Sequence, residues 1–346
     1  MMKAVVYTAP GEVSVTTVAD PVLVDGSDAI VRVLRAGICG TDLHLTEHGD
    51  GLDAGNVLGH EFVGVVVDVG AAVRGLRPGD RVAGADFISC GACWWCRSGC
   101  QWECAQKAFF GTGTSFGPRL DGAQAELVRV PFADVALQVL PAELDWERAL
   151  LLGDILATGY GAVRRADFRP GATFAVIGGG PVGQLASQSA QACGAGPVVV
   201  VEPVQARREL AEKCGAIGVA PDDARAVIDE LTDGRGADVV IEAVGGARGL
   251  DTGLAMIRKR GTLVSVGVHS AAEWPMPVAQ AFADELTLSF AIGNAVRDRD
   301  ELGPLLAAGV IDPTAVIDEH VRIDDAARGY SAMRSRECVK AVIVFD

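Results

Sequence analysis

The stretch Phe174-Ala175-Val176-Ile177-Gly178-Gly179-Gly180-Pro181-Val182-Gly183 decides the fold of the second half of the chain. Its apolar run predicts a strand, its glycine pattern predicts a tight turn, and residues 184–192 have the pattern of a helix. The next apolar run, 198–201, leads to Glu202, about twenty residues after the turn. A strand, a Gly-x-Gly-x-x-Gly turn, a helix and an acid at the end of the next strand predict a dinucleotide-binding unit.

Further apolar runs, separated by segments of helical length, predict a parallel, doubly wound sheet. The runs lie near 173–178, 198–202, 217–220, 237–242, 261–267 and 286–292. In such a sheet Gly178, Gly180 and Gly183 let the backbone approach a pyrophosphate. Glu202 can accept hydrogen bonds from both ribose hydroxyls and would repel a 2′-phosphate, so the pattern favours NAD over NADP. Arg207 lies close enough to favour the phosphate instead, or it belongs to a solvated helix face.

The composition excludes several classes of function. The chain has 346 residues, 49% of them hydrophobic, and 43 glycines, which favours a two-domain α/β protein over a disordered or fibrous one. Its formal net charge of −15 disfavours binding to nucleic acid or to anionic membranes. The charge-free stretch 173–201 is interrupted by glycines and prolines, so no membrane span is expected. Residues 1–7 have the pattern of a strand and not of a signal peptide, so we expect a cytoplasmic protein.

Reactive residue types are concentrated in Gly37-Ile38-Cys39-Gly40-Thr41-Asp42-Leu43-His44, which follows a strand predicted at 29–35. We expect Cys39 to lie in a loop. Farther along the chain, His60 and Glu61 directly precede an apolar strand. Taken alone, such a pair is more often a core histidine beside a solvent-facing glutamate. With Cys39 it supplies thiolate, imidazole and carboxylate, the usual ligands of zinc, and the three residues predict a catalytic zinc site.

Asp154 lies within the apolar face of a helix predicted around Trp146. A carboxylate in such a face needs a partner, so Asp154 is either at the edge of the helix or a third zinc ligand. The segment Thr158-Gly159-Tyr160-Gly161 is expected to loosen the chain and to mark a domain boundary. The elements predicted after Gly293 are too short for a core of their own, so we expect them to return to the first domain. They are a helix at 298–308 and strands at 316–321 and 338–345.

The segment Cys90-Gly91-Ala92-Cys93-Trp94-Trp95-Cys96-Arg97-Ser98-Gly99-Cys100-Gln101-Trp102-Glu103-Cys104 holds five of the chain's nine cysteines. In a cytosolic chain this clustering indicates metal binding instead of disulfides. Cysteines two residues apart, closed by a more distant one, fit a tetrahedral structural zinc in a loop without its own core. A free-thiol or redox cluster and an iron–sulfur cluster are the alternatives.

Taken in order, these motifs resemble those of the zinc-dependent medium-chain alcohol and polyol dehydrogenases, within the medium-chain dehydrogenase/reductase superfamily, over essentially the full chain. The matching elements are Gly37 to His44, Gly59-His60-Glu61, the cysteine segment, Asp154 before Thr158-Gly159, and Gly178 to Gly183 with Glu202. The resemblance implies an α/β fold with NAD in a cleft between two domains. The implied parts are a GroES-like β-rich catalytic domain over 1–155 with a structural zinc lobe at 88–105, an inserted Rossmann domain over 156–294, and a return to the catalytic domain over 295–346.

By this resemblance each chain holds two zinc ions, one catalytic and one structural. The catalytic zinc is bound by Cys39 and His60 with Asp154 at the third position, while Glu61 either ligates the metal or lies just behind it. Asp42 orients the imidazole of His60. The implied ligands of the structural zinc are Cys90, Cys93, Cys96 and Cys104, which leaves Cys100 outside the set.

The resemblance also implies a proton path and contacts to the cofactor. Thr41 accepts the alcohol proton and passes it through the nicotinamide ribose to His44, which releases it to solvent. A threonine that caps a turn and a surface histidine are the alternatives. The implied cofactor residues are Gly178, Gly180, Pro181 and Gly183 at the turn, Val182, Val266 and Thr158 near the nicotinamide, and Glu202 and Arg207 near the ribose.

The resulting prediction is a zinc- and NAD-dependent dehydrogenase that oxidises a small polar secondary alcohol to the ketone by hydride transfer from a zinc alkoxide. A polyol, a cyclitol or a hydroxy-amino acid is favoured because the loop 45–56 is polar and Gln124 stands where the family commonly has an aromatic residue. A primary or simple aliphatic alcohol or aldehyde is the alternative. We expect a homodimer or homotetramer that associates through the Rossmann domains.

Two other classes of function are weighed against this one. A zinc-free quinone or enoyl reductase of the same superfamily would lack Cys39, His60 and the cysteine segment, all of which are present. A non-enzymatic NADH sensor would be expected to lose Thr41, His44 or Asp154, and all three are present.

Overall fold

The computed structural model describes residues 1–270 and 273–345. It contains two compact units: Met1–Asp154, Asn294–Gly303 and Ile317–Asp346 form the first, and Ile155–Gly293 and Pro304–Val316 form the second. The segment 295–346 was predicted to return to the first domain, but its residues 304–316 belong to the second unit. There the Asp312 N–H donates to Gln188 Oε1 at 3.0 Å. The assignment of catalytic and NAD-binding roles to the two domains stays a prediction.

The first unit is built on a seven-stranded sheet. Its spatial order is Ile317–Arg322, Lys340–Val344, Ala29–Gly37, Phe62–Val69, Arg81–Gly84 and Leu137–Val139, with Leu127–Val130 also paired to Ala29–Gly37. All these pairings are antiparallel except that of Ile317–Arg322 with Lys340–Val344. Two smaller antiparallel pairs are Met2–Ala9 with Glu12–Val18 and Phe87–Ile88 with Ala108–Phe109. The tail strand Lys340–Val344 thus lies beside the strand that leads to Cys39.

The second unit contains the predicted parallel, doubly wound sheet, which confirms the predicted fold class. Its spatial order is Ile217–Val219, Val198–Val201, Phe174–Ile177, Ala237–Glu242, Ile257–Ser265 and Thr287–Phe290. The central strands Phe174–Ile177 and Val198–Val201 are continuously apolar because they are covered on both faces. Phe174 and Val176 belong to one core cluster, whereas Ala175 and Ile177 belong to the other. The strand order reverses beside Phe174–Ile177, and the crevice at the carboxyl ends of the strands there is where such sheets bind ligands.

Helices connect and cover these sheets. In the described part of the chain they are Gly40–His48, Trp94–Arg97, Ala133–Ala136, Trp146–Leu150, Ile155–Arg165, Pro181–Ala192, Gln205–Lys213, Ala224–Thr232, Gly246–Met256, Val278–Ala283, Ala295–Ala307 and Ala326–Ser335. The 3-10 turns are Gln101–Glu103, Leu151–Gly153, Pro313–Val316 and Ile323–Asp325. No helix among the described residues combines the length and the apolar character needed to cross a bilayer.

Cys39 lies outside regular structure, as predicted, directly before the helix Gly40–His48. That helix was not predicted, and it includes the start of the predicted loop 45–56. The prediction for the segment 158–161 was wrong. The segment 158–161 lies inside the helix Ile155–Arg165 and does not loosen the chain. Its Gly159 is needed for close packing, because an added Cβ would lie 2.6 Å from the backbone nitrogen of Ala186 on the neighbouring helix. The helix Ala326–Ser335 was not predicted.

Candidate metal centres and dinucleotide site

The first candidate metal centre is assembled from three distant parts of the first unit. Each part lies where a regular element begins or ends, so that a side chain can be presented without breaking a ladder. Cys39 follows the strand Ala29–Gly37, His60 and Glu61 precede the strand Phe62–Val69, and Asp154 follows the turn Leu151–Gly153. The structure therefore brings together all four residues predicted for the catalytic zinc.

The ligand atoms of these four residues all lie within 4.8 Å of one another. Asp154 Oδ2 lies 3.5 Å from Cys39 Sγ and 3.3 Å from His60 Nε2. A tetrahedral zinc with ligands at about 2.0–2.3 Å separates its ligand atoms by roughly 3.3–3.8 Å. His60 is fully buried, and neither ring nitrogen makes a hydrogen bond among the described residues, although a carboxylate oxygen lies 3.3 Å from each. The spacings, the donor types and these unsatisfied nitrogens all fit a bound metal ion.

Burial and the neighbouring carboxylates shift the pKa values of Cys39 and His60 strongly. Burial raises the pKa of the Cys39 thiol to about 11, and the charges of Asp154 and Glu61 act in the same direction. Burial would lower the pKa of His60, but the carboxylates of Asp42 and Asp154 outweigh it and raise that pKa well above its ordinary value. A metal ion needs thiolate and neutral imidazole, so its binding at neutral pH would release protons from this group.

Glu61 has a buried partner that the sequence did not reveal. Lys340 Nζ lies 2.6 Å from Glu61 Oε1 and 2.5 Å from Oε2, and both side chains are fully buried. Burial raises the pKa of Glu61 to about 7, although Lys340 opposes that shift. Gly37 leaves room for this carboxylate, because a Cβ on Gly37 would overlap Glu61 Oε2. A ligating Glu61 would therefore share its charge with Lys340.

Asp42 lies beside His60, as the resemblance implied. Its Oδ1 is 3.3 Å from His60 Nδ1, and its Oδ2 accepts a hydrogen bond from the Cys39 N–H at 2.8 Å. Gln124 is fully buried and its amide donates to Asp42 Oδ2 at 3.2 Å. The interpretation of Gln124 as a sign of a polar substrate pocket was therefore wrong, because this side chain supports Asp42.

Asp86 is a further carboxylate near the Cys39 ligand group, and it was not predicted from the sequence. Its N–H donates to the carbonyl of Gly153, the neighbour of Asp154, at 3.1 Å. The residue is only 4% exposed, and Asp86 Oδ1 has no hydrogen-bond partner among the described residues. Burial and the charge of Asp154 raise the pKa of Asp86 well above its usual range. Nothing in the local sequence marks this residue, because its importance comes from contacts with distant segments.

The second candidate metal centre contains Cys90, Cys93, Cys96 and Cys104, whose sulfurs also lie within 4.8 Å of one another. Cys93 and Cys96 are 3.5 Å apart, as are Cys90 and Cys104, and Cys90 and Cys96 are 3.9 Å apart. Zinc–sulfur bonds of about 2.3 Å in a tetrahedron place sulfurs roughly 3.8 Å apart, so the group fits one zinc. Cys100 is exposed, and its sulfur faces the Ser98 carbonyl at 3.7 Å, outside this group.

The residues predicted to move the proton lie on the helix Gly40–His48. Thr41 and His44 are three residues apart, so they share one side of this helix, and both are half-buried. The ring of His44 contacts the ring of His48 with centroids 4.7 Å apart. The proton relay itself stays a prediction.

The glycine-rich turn of the second unit has the geometry expected of a phosphate site. Gly178 has φ +96°, and a Cβ there would lie 2.7 Å from Val244 Cγ2. Gly180 is the cap of the helix Pro181–Ala192. A Cβ on Gly183 would overlap the Gly178 carbonyl oxygen, so close packing of strand and helix requires glycine here as well.

The acid at the end of the second strand supports this turn. Glu202 is 4% exposed, and its carboxylate accepts hydrogen bonds from the N–H groups of Gly179 at 2.7 Å and Val204 at 2.9 Å. Arg207 Nη1 lies 4.0 Å from the place where a Cβ on Gly180 would stand. Its guanidinium therefore lies beside the turn. The ribose contacts predicted for both side chains stay predictions.

The other predicted cofactor residues also lie in the second unit. Val182 and Val266 are half-buried, and Val266 packs against one of the two core clusters. Thr158 lies against Gly293, where a Cβ would stand 3.0 Å from Thr158 Cα. Their contacts with nicotinamide stay predictions.

A hydrogen-bonded cluster involving His269 follows the carboxyl ends of the neighbouring strands Ala237–Glu242 and Ile257–Ser265. Ser265 Oγ lies 2.6 Å from Glu242 Oε2 and 2.7 Å from His269 Nε2. The Gly246 N–H donates to His269 Nδ1 at 2.9 Å. Nδ1 therefore accepts, so Nε2 carries the ring proton and donates to Ser265. The cluster ties together the loops on the side of the sheet where dinucleotides bind.

Comparisons with known proteins agree with this arrangement. A model of the alcohol dehydrogenase GroES-like domain matches residues 25–141, and a model of the zinc-binding dehydrogenase domain matches residues 181–308. The alcohol dehydrogenase TADH from Thermus sp. ATN1 is 40% identical with a TM-score of 0.95, and 99% of each chain is covered. A Sinorhizobium meliloti protein described as a zinc-binding dehydrogenase and solved bound to NADP is 31% identical, with a TM-score of 0.87 and coverage of 100% of this chain and 99% of that one. Sorbitol dehydrogenase of Bacillus subtilis is 30% identical, with 99% of this chain and 97% of that protein covered.

Proposed function

Because the chain belongs to the zinc-dependent medium-chain dehydrogenase/reductase family and is an oxidoreductase of its alcohol dehydrogenase type, we propose that it oxidises a small polar secondary alcohol to a ketone with NAD as hydride acceptor. The observation that carries this proposal is the meeting of Cys39, His60, Glu61 and Asp154 within one ligand-sized group. A primary or simple aliphatic alcohol would use the same group, so the substrate class depends on other residues.

The chain's residues fit two zinc ions. Cys39, His60 and Asp154 would hold the first, with Glu61 either a fourth ligand or held back by Lys340, and the four clustered cysteines would hold the second. A bound Zn²⁺ supplies a Lewis acid that lowers the pKa of a substrate hydroxyl, as it does for water. Asp42 Oδ1 lies 3.3 Å from His60 Nδ1 and would orient the imidazole so that Nε2, on the side of Asp154, faces the metal.

The helix Gly40–His48 would carry the proton away. Thr41 is two residues from Cys39, so its hydroxyl can accept a hydrogen bond from an alcohol held at the ligand group. His44 lies on the same side of the helix and is partly exposed, so its imidazole can pass the proton to solvent.

The polar substrate class is supported by Asp86. Its buried Oδ1 has no partner among the described residues and can accept a hydrogen bond from a second hydroxyl or an ammonium group. A simple aliphatic alcohol would lack this hydrogen bond, which is worth about 1.5 kcal/mol to a polar substrate. The similarity to a sorbitol dehydrogenase agrees with a polyol.

The test is NADH formation over polyols, amino alcohols and simple alcohols, with the wild type and an Asp86→Leu variant. We expect the wild type to prefer a polar substrate and the variant to lose about tenfold or more of that preference in kcat/KM. Asp121→Asn, at an exposed acid of the same unit, is the control and should leave the ratio unchanged. A wild type that prefers a simple aliphatic alcohol would establish the alternative.

Replacing Glu202 by alanine should lower the preference for NAD over NADP about tenfold, because the carboxylate would bind both ribose hydroxyls and repel a 2′-phosphate. The variant also loses the hydrogen bond to Gly179. That structural loss affects both cofactors, so the ratio of their kcat/KM values isolates the ribose contact. Glu209→Ala, an exposed acid on the next helix, is the control. An unchanged ratio would limit Glu202 to supporting the turn.

A homodimer or homotetramer formed through the second unit is the proposed assembly. The strand Thr287–Phe290 is the last in its sheet, without a partner on its outer side among the described residues. The nearby helix Val278–Ala283 buries none of its residues, and Phe282 is 85% exposed. An open edge beside exposed apolar groups suits a second copy of the chain. Light scattering should find an oligomer that Phe282→Asp weakens, and a monomeric wild type would contradict this.

The cytoplasmic location stays a prediction.

A further inference from the structure

We infer that Gln124 and Tyr330 are positioning residues for the metal centre, because together they hold the carboxylate of Asp42 against His60. The inference deepens the proposed function and rests on it. It concerns two side chains that lie outside the ligand group, of which Gln124 contacts Asp42 and the Gly37 carbonyl and Tyr330 contacts Gln124.

The hydrogen bonds form one continuous chain. Gln124 Nε2 donates to Asp42 Oδ2 at 3.2 Å and to the Gly37 carbonyl at 3.0 Å, and Gln124 Oε1 lies 2.8 Å from Tyr330 Oη. The Gly37 carbonyl can only accept, so the nitrogen of the amide must face it. The amide oxygen then faces Tyr330, whose hydroxyl must be the donor. Each polar atom in the chain thus has one possible role, and the orientation of the amide is determined.

Asp42 uses its two oxygens for different partners. Oδ2 accepts from Gln124 and from the Cys39 N–H at 2.8 Å, whereas Oδ1 lies 3.3 Å from His60 Nδ1. Two donors on one oxygen limit rotation of the carboxylate, so the other oxygen is held toward the imidazole. The same amide also binds the backbone two residues before Cys39. Gln124 therefore supports both the residue that orients His60 and the segment that presents the thiolate.

The hydrogen-bonded side chains of this network are buried away from solvent. Gln124 and His60 are 0% exposed, and Asp42 and Tyr330 are each 1% exposed. Gln124 packs directly against Gly59, where φ is +95° and an added Cβ would overlap the Gln124 side chain. Water cannot readily replace a lost partner at such a place, so removing the amide leaves Asp42 and the Gly37 carbonyl short of a donor. The backbone of Gln124 is also fixed, with its N–H on the Leu58 carbonyl at 2.8 Å.

A role in packing alone is the competing explanation. Tyr330 belongs to the core cluster of the first unit, so its ring contributes to stability whatever its hydroxyl does. A packing role predicts lost stability without lost metal affinity. A positioning role predicts weaker metal binding at the Cys39 centre even where the protein remains folded, since partners of this kind are worth about 10–100-fold in metal affinity.

The experiment measures zinc affinity by competition with a chromophoric chelator, with Cys39→Ser supplying the signal of the cysteine centre alone. Gln124→Leu should weaken the Cys39 centre about 10–100-fold, and Tyr330→Phe should weaken it less, because the amide stays but loses its anchor. The double variant should match Gln124→Leu, because Tyr330 acts only through Gln124. Tyr7→Phe, at another buried tyrosine of the same unit, is the matched control and should bind zinc like the wild type.

The outcomes separate the inference from the function on which it rests. If the wild type binds zinc only at the cysteine centre, the proposed function fails. If the wild type binds zinc at both centres, and Gln124→Leu and Tyr330→Phe are folded by circular dichroism with unchanged affinity, the positioning role is wrong and the function stands. If Gln124→Leu does not fold, the conservative Tyr330→Phe decides: weaker zinc binding supports the role, and wild-type affinity overturns it.

Discussion

Replacing Cys39 by serine should reduce turnover by about 10³-fold or more, since a Lewis acid supplies several kcal/mol to alcohol oxidation. The affinity for NADH should stay within about twofold of the wild type, because the proposed dinucleotide residues belong to the second unit and Cys39 to the first. Steady-state kinetics and a fluorescence titration with NADH measure the two quantities.

The matched control for this variant is Cys338→Ser. Cys338 is 6% exposed and Cys39 is 8% exposed, and both lie in the first unit, so the chemical change and the burial are nearly the same. Cys338 is outside the ligand group and its replacement should leave turnover largely intact. Substantial activity in Cys39→Ser would remove the thiolate from the mechanism.

Replacing Lys340 by methionine should lower the free energy of unfolding of the first unit by about 3–5 kcal/mol, because it leaves the carboxylate of Glu61 buried without its partner. Both side chains of this pair are fully buried. Urea unfolding followed by tryptophan fluorescence is a suitable measurement, since Trp94, Trp95, Trp102 and Trp146 lie in the first unit and only Trp274 lies in the second.

Two further variants test whether the loss of stability comes from the unpaired buried charge of Glu61. The double variant Lys340→Met with Glu61→Gln removes both charges and should recover much of the lost stability. Lys3→Met breaks the exposed pair with Asp324, in which the side chains are 48% and 56% exposed, and should cost no more than about 1 kcal/mol. A Lys340→Met variant as stable as the wild type would show that Glu61 is neutral or solvated without its partner.

The parts predicted well from sequence have strong local signals. The strands Phe174–Ile177 and Val198–Val201 were predicted well because each is a continuous apolar run whose side chains enter both core clusters. The candidate metal ligands were found because clustered cysteines outside a disulfide framework indicate metal binding, and because the His60-Glu61 pair was read together with Cys39. In each of the two predicted groups, the ligand atoms lie within 4.8 Å of one another.

The parts that were missed depend on contacts between distant segments. Lys340 is 279 positions from Glu61, and Tyr330 is 206 positions from Gln124, so nothing local in one sequence links either pair. The helix Gly40–His48 was not predicted, because the residues that it buries, Asp42, Leu45 and Thr46, form no apolar stripe. It is stabilised at its start by reciprocal hydrogen bonds between Cys39 and Asp42.

The zinc content of the purified protein tests the central claim most directly. Mass spectrometric metal analysis should find two zinc ions per chain in the wild type and one in Cys39→Ser, because the four-cysteine centre does not use Cys39. One zinc ion in the wild type, or two retained in Cys39→Ser, would contradict the claim that Cys39, His60 and Asp154 form a catalytic zinc site.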